Sequence, residues 1–368
     1  MKRRLVAVVI IVAIAGLFAC NVPIPGPTPS THVYIAGSVG KSISNTVPAY
    51  WKDGVLYLLP LTNGSTSGQA FGIAEDRSGN LYVAGGLQNG QVGYWRNSTF
   101  VPLPLGAYGA GTTAGIAVDT DGNVWVEGEV GASATSLDTF VYWKNGTGPS
   151  FLASSPSQVW GIQADLLGNV YIIGNLVTGP MLPYVWKNGA NPTQQGLLGD
   201  NTNAYIQQSA LSMNGLSIFG VEWGGTTGGP AYWSNGVPTA LPVGAYDPNG
   251  DWISAGVAAS PGGDLAFVAA YGPTTTATTL LYWATATSTP VPMTMPGGYT
   301  TFGNFSNAAF DSKGGFINPG QVGKAGTDVN GAVLDDGVPV YWRDGIPHLL
   351  PMGAGNSWGA AGWVVVGP

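Results

Sequence analysis

The chain has little charge. Lys, Arg, Asp and Glu make up 8% of its 368 residues, against about a quarter in a typical soluble domain. Charged amphipathic helices and surface ion-pair networks have almost nothing to be built from, which favours an all-β, turn-rich protein. The 12 basic residues are outnumbered by 19 acidic ones, so the footprint of a nucleic-acid binder is missing and no such partner is expected. Cysteine occurs once, at Cys20, and no intrachain disulfide can form. Histidine occurs twice, at His32 and His348. A Ser-His-Asp triad, a multi-histidine metal site or a His proton shuttle would have to use one of these two. Both sit inside repeated strand motifs, where packing is the simpler role. The glycines fall at hairpin turns, and none forms a phosphate-cradling loop.

What is present is glycine, proline and aromatic mass. With 58 Gly and 27 Pro the chain approaches low-complexity composition, yet 45% hydrophobic residues with 13 Trp, 16 Tyr and 11 Phe give ample core, so wholesale disorder is excluded. The length suits one large barrel or propeller.

Lys2, Arg3 and Arg4 precede an uncharged, mostly aliphatic run from Leu5 to Ala19. That is a positive n-region and an h-region, short for a transmembrane helix of about 20 residues. The run ends Leu17-Phe18-Ala19-Cys20, which resembles the lipobox of bacterial lipoproteins. The resemblance implies cleavage of residues 1–19, acylation of Cys20 and a lipid anchor in the cell envelope. Asn21 in place of Asp is unlike an inner-membrane retention signal, pointing to the outer membrane or cell surface. Residues 20–30 then form a tether with prolines at 23, 25, 27 and 29, a semi-rigid polyproline spacer of about 3 Å per residue.

From residue 31 the chain repeats itself. An aromatic pair and a tight turn recur as Tyr50-Trp51-Lys52-Asp53-Gly54, Tyr94-Trp95-Arg96-Asn97, Tyr142-Trp143-Lys144-Asn145-Gly146, Tyr184-Val185-Trp186-Lys187-Asn188-Gly189, Tyr232-Trp233-Ser234-Asn235-Gly236, Tyr282-Trp283 and Tyr341-Trp342-Arg343-Asp344-Gly345. Asp-Gly or Asn-Gly between apolar runs is a strong hairpin signal, because a type I′ turn needs positive φ at both central residues. Short apolar segments such as Leu58-Leu59-Pro60-Leu61 follow most copies. Between the pairs lie two alternating strands around a glycine turn, as in 72–85, 115–128 and 161–174. Four strands every 43–59 residues are propeller blades.

The segments DRSGNLYVAG (76–85), DTDGNVWVEG (119–128) and DLLGNVYIIG (165–174) resemble the repeat of bacterial seven-bladed β-propeller proteins. The resemblance covers nearly the whole chain after the tether and brings no fixed activity. The reading is all-β: a single seven-bladed β-propeller over 31–368, four antiparallel strands per blade. It is closed by pairing the C-terminal strand, Trp358 to Val366, with the N-terminal blade, which removes an open sheet edge. A monomer is expected.

One propeller face carries short, stereotyped turns and the other carries variable loops, of which 321–338 is the longest. Specific binding belongs on the variable face. The candidate ligand-binding residues there are Glu129, Tyr205, Glu222, Trp223, Asp251, Trp252 and Trp358, with Trp160 beside them. Exposed aromatics with carboxylates suit a glycan or a peptide; the competing role for the tryptophans is packing between blades. The seven Tyr-Trp pairs are read as structural, and Lys52, Arg96, Lys144, Lys187 and Arg343 as solvated charges beside turns. Asp119-Thr120-Asp121-Gly122-Asn123 has alternating oxygen ligands but lacks the distal Glu of a calcium loop, so a turn is the better reading. Asp328, Asp335 and Asp336 form a second, weak cation candidate. No cofactor and no catalytic residue are assigned. The expected function is a membrane-anchored, non-catalytic binding or scaffold module for protein or glycan; the alternative is an exported carbohydrate-active hydrolase or lyase using carboxylates of that face.

Overall fold

The computed structural model describes residues 32–367, apart from 63, 155–156, 178, 227, 273–278, 304–306 and 325–335. The leader, Cys20, the tether, Asp328 and Asp335 therefore lie outside the described residues. The described chain is all β, in seven sheets of antiparallel strands that follow one another as blades 1 to 7. Blade 2 is typical, with an inner strand Gly68–Glu75, then Leu81–Leu87, Val92–Arg96 and an outer strand Thr99–Pro102. The remaining inner strands are Ala110–Val118, Gln158–Ala164, Asn203–Ser212 and Trp252–Ala259 in blades 3 to 6. In blade 7 the inner edge is split into Thr301–Gly303 and Ala309–Phe310.

Blade 1 is made from both ends of the chain. Its inner strand, Trp358–Val366, pairs antiparallel with Val33–Ser42, with Val33 opposite Val366 and Gly40 opposite Trp358. The ring thus closes as the repeat count requires. In blades 2 to 6 the inner strand shifts register against its neighbour once, between Ala70 and Gly72, Thr113 and Ile116, Val159 and Gly161, Ile206 and Gln208, and Ser254 and Gly256. Each bulge bends the strand and re-aims the extra residue.

The core lies between blades. Trp51, Trp95, Trp143, Trp186, Trp233, Trp283 and Trp342 are all fully buried. Six of these indole N–H groups donate to a main-chain carbonyl just past the outer strand of the preceding blade. Trp95 reaches Pro60 at 3.0 Å, Trp143 reaches Pro104 at 2.7 Å and Trp283 reaches Pro242 at 2.7 Å. Trp51 reaches Pro351 at 2.8 Å, across the closure; Trp233 and Trp342 reach Gly196 and Thr294. One side chain therefore fills the inter-blade space and also satisfies a carbonyl that has left the sheet ladder. This explains why a Leu-Pro step follows the outer strand in blades 1, 2, 5 and 7: it presents a carbonyl to the next blade's tryptophan.

Candidate functional site

The two faces differ in how their polar groups are used. On the turn face, Asp76 Oδ1 accepts the N–H groups of Ser78 and Asn80, and Oδ2 accepts Asn80 Nδ2 and Tyr82 Oη. Asp165 repeats this pattern with Leu167, Asn169 and Tyr171. Asp119 accepts from Asp121, Asn123 and the Trp125 indole. Burial pushes these carboxyls up, but the N–H and O–H donors outweigh it and hold all three below the usual aspartate range. The Asp119 oxygens are thus engaged in holding a turn. The following hairpin turns put Asp53, Asn97, Asn145, Asn188, Asn235 and Asp344 at positive φ, and Asn97 Nδ2 donates to Asn80 Oδ1 at 2.8 Å. The two kinds of turn therefore share one face.

The basic residues of these turns are not simply solvated. Lys52 lies over the Tyr34 ring, Arg96 over Tyr82, Lys144 over Trp125 at 4.4 Å and Lys187 over Tyr171. Arg343 pairs instead with Asp311 at 2.6 Å. The expected free charges are cation–π caps on the second strand of their own blade. His32 is taken up by Asp53 at 2.6 Å, and His348 stacks on Tyr341.

The loop face carries the cleft. In blade 5 the second strand, Gly215–Trp223, ends with one residue turned inward and the next outward, as strand alternation requires. Glu222 is 1% exposed and Trp223 is 40% exposed. The chain returns through a glycine-rich loop to the third strand, Gly229–Ser234. Gly229 has φ +125°, and a Cβ there would lie 2.7 Å from the Pro248 carbonyl oxygen. A Cβ on Gly228 would lie 2.8 Å from Asn249 Oδ1. Only glycine lets this loop rest on the 247–251 loop that leads into blade 6. That second loop is folded by Asp247, which accepts the N–H of Asn249 on its side chain and the N–H groups of Gly250 and Trp252 Nε1 on its carbonyl. Between the loops is a cleft of about 520 Å³, lined by Glu222, Trp223, Asp251, Trp252 and the glycines between them.

The Glu222 carboxyl turns to the other side of its strand, toward blade 4, where Oε2 accepts the Leu198 N–H at 2.9 Å and the Asn201 side-chain amide at 2.7 Å. Oε1 is buried and has no hydrogen-bond partner. Burial pushes this carboxyl above the usual glutamate range, against those two donors. Trp252 is 7% exposed and packs on Tyr271 at 4.6 Å and Trp283 at 5.9 Å, so it founds the wall more than it offers a surface. Trp223 and Asp251 are the exposed members.

The other sequence candidates lie elsewhere. Tyr205, on the inner strand of blade 5, meets Trp160 edge-on at 5.9 Å and accepts from Gln207 Nε2; burial pushes its hydroxyl up to about 12. Trp358 is 2% exposed, packed at the start of the closing strand. Glu129 belongs to blade 3, in the second strand Val124–Ser133. Two residues before it stands Glu127, which the sequence reading missed. Glu127 is fully buried, and neither carboxyl oxygen has a hydrogen-bond partner. Burial, and then the charge of Glu129, push it to about 8. Aligning the blades exposes it, because the same position holds Ala36, Ala84, Ile173, Phe219, Val268 and Pro319.

Fold and cleft together define a seven-bladed β-propeller with a ligand-sized hollow on its loop face. No protein-family model matches the chain, and no curated protein matches it in sequence. Among solved structures, it is similar to a puromycin-hydrolyzing peptidase of Mycobacterium tuberculosis at 14% identity and a TM-score of 0.53. The match covers 84% of this chain and 49% of the peptidase, so the propeller spans about half the length of that protein. It is also similar to a putative TolB from Agrobacterium tumefaciens (12% identity, TM-score 0.44, covering 92% of this chain and 95% of that one). A third likeness is to YCF48 bound to D1 peptide (11% identity, TM-score 0.48, covering 79% and 91%). At these identities the likeness concerns the fold alone.

Proposed function

We propose that this propeller is a non-catalytic binding module that takes protein or glycan ligands in the cleft between blades 5 and 6, and that a lipid on Cys20 holds it at the cell envelope, in the outer membrane or at the cell surface. The observation that carries the reading is the exposed Trp223 beside the exposed Asp251 in one hollow of about 520 Å³. An open aromatic face with a carboxylate beside it suits the mixed apolar and polar surface of a peptide or a sugar. The tether agrees with it. His32 and Gly367 sit together on the turn face, joined by a hydrogen bond from the Gly367 N–H to the His32 carbonyl. An anchor attached there turns the opposite, loop face away from the bilayer. The repeat resemblance and the lipobox-like Leu17-Phe18-Ala19-Cys20 fit the same picture.

The test is a peptide and glycan array probed with the full chain and its Trp223→Ala variant. A ligand retained by the former and lost by the latter is expected. Ligands bound equally by both put the site elsewhere. Cys20→Ser should release the protein from the membrane fraction; unchanged fractionation and lipid labelling would remove the anchor from the reading.

A further inference from the structure

Among the described residues, the large apolar side chains left most exposed are Leu166, Leu167 and Met213, at 83%, 86% and 80%. All three stand at the tips of turn-face hairpins joining the first two strands of adjacent blades, 165–168 in blade 4 and 212–215 in blade 5. The turns themselves do not require them. At the same tip other blades carry Arg77-Ser78, Thr120-Asp121, Pro261-Gly262 and Ser312-Lys313. The turns are folded by Asp165, which accepts the Leu167 and Asn169 N–H groups, and by Ser212, which accepts that of Asn214. Neighbouring blades meet closely here: a Cβ on Gly168 would fall 2.7 Å from Thr120 Oγ1 of blade 3, and the Gln163 amide donates across to the Ser209 carbonyl of blade 5 at 3.1 Å. Apolar side chains gathered on a surface in this way mark a contact.

The occupant follows from where the rest of the chain joins. Residues 1–31, with the apolar run from Leu5 to Ala19, meet the propeller at His32 on the same face. In a ring of seven, blades 4 and 5 are the farthest from blade 1. A tether at His32 alone lets the propeller swing, whereas a second contact across the ring lays the turn face flat on the bilayer. At about 3 Å per residue, the tether keeps that face within about 35 Å of the surface, and at so high an effective concentration a weak contact suffices. Two projecting tips offer far less than the roughly 800 Å² per partner of a stable protein interface. A fluid acyl layer takes isolated apolar tips without shape complementarity. Lys144 and Lys187 share this face with Asp119, Asp121 and Asp165, so charge is near balance and the apolar tips supply the attraction.

We propose that the turn face docks on a lipid bilayer, with Leu166, Leu167 and Met213 entering the headgroup–acyl boundary as a second point of attachment across the ring from the tether. The inference rests on the membrane attachment of the chain, whatever the chemistry of the anchor, and adds to it the surface of the propeller that meets the lipid.

The experiment is photo-crosslinking of the full chain reconstituted in phosphatidylcholine vesicles. It carries Leu167→p-benzoylphenylalanine or, as the control, Ala134→p-benzoylphenylalanine in the exposed loop-face hairpin of blade 3. Irradiation should join a phospholipid to the protein at 167 and not at 134, read by mass spectrometry. With Met213→p-benzoylphenylalanine instead, adding Leu166→Ser and Leu167→Ser should cut the lipid adduct by about fivefold or more, because most of the apolar area holding the patch down is gone. All three positions are exposed, so the melting temperature should stay unchanged. Vesicle-bound protein with no lipid adduct at 167, or with an adduct to a second copy instead, overturns the docking and keeps the attachment. Equal lipid adducts at 167 and 134, or an undiminished adduct at 213 beside the two serines, overturn the role of the patch. A chain that does not float with the vesicles overturns the docking and the membrane attachment together.

Discussion

Replacing Glu127 with Gln should make the propeller's stability less sensitive to pH, and the size of the change follows from its surroundings. Glu127 lies opposite the bulge in the inner strand of blade 3, where a Cβ on Gly115 would fall 2.7 Å from its Oε1 and 2.8 Å from Ile162 of blade 4. Glu129, on its own strand, is the charge that faces it, and no base is paired with it. The folded protein therefore keeps the Glu127 proton up to about pH 8, whereas the unfolded chain releases it near the ordinary 4.5. Between those values the unfolded state binds fewer protons, so this group's contribution to stability falls as pH rises. One pKa unit is worth 1.36 kcal/mol, so by linkage the burden is about 1 kcal/mol at pH 5 and about 3 kcal/mol at pH 7. Glutamine has the same shape and no charge to release. The stability gap between Glu127→Gln and the native chain should widen in the variant's favour by roughly 2 kcal/mol from pH 5 to pH 7. Urea denaturation at the two pH values measures it. A gap that does not change with pH would refute the reasoning, because it would mean that Glu127 is ionised, or exposed, in both states.

Removing Trp358–Val366 should strip blade 1 of its inner strand, take the buried Trp358, Trp363 and Val364 out of the ring and lay bare Ile35, Val39 and Trp51, which are buried in the closed ring. At about 1.5–3 kcal/mol per large side chain, thermal unfolding should shift downward by many degrees and size-exclusion should show aggregates; a shortened chain that melts like the full one contradicts the closure. Trp143→Phe keeps a ring in the inter-blade space but removes the N–H that meets Pro104 at 2.7 Å. It should destabilise by about 1–3 kcal/mol in denaturant, against less than about 0.5 kcal/mol for the exposed Trp223→Phe, and equal effects at both positions would argue against the hydrogen-bonded role of the indole.

The fold was readable because each blade repeats the same local choices. Period-2 strands and an aromatic pair recur in every blade, Asp-Gly or Asn-Gly turns join them in five of the seven, and the unmatched strand at Trp358 required closure. What strands exchange with neighbouring blades was not readable. Nothing in the pattern says that the Pro60 or Pro104 carbonyl awaits the next blade's tryptophan, or that Lys144 has the Trp125 ring beneath it, since both depend on packing across separate sequence repeats. The cleft was partly legible. Glu222, Trp223, Asp251 and Trp252 fall at strand ends on the loop face, and the structure brings the last three together while the Glu222 carboxyl turns toward Leu198 and Asn201. Exposure was not legible, so Trp252 and Trp358 entered the candidates beside Trp223, though both are buried. Glu127 escaped because within its own strand it reads as one more alternating residue, and only comparison down the column of blades shows an acid where the others are apolar.

The way blade 1 is assembled also sets the order of events in folding. Blades 2 to 6 are each made of consecutive hairpins and can form from contiguous stretches of chain, whereas Val33 must wait for Val366. A pairing of such long sequence separation belongs to the slow end of folding, although its entropic penalty grows only with the logarithm of the loop. Until it forms, Val33–Ser42 presents a bare edge that accepts any matching strand. The nearest competitor in concentrated solution is the last strand of a second copy. Refolding at rising protein concentration should then divert chains into strand-exchanged dimers and larger rings.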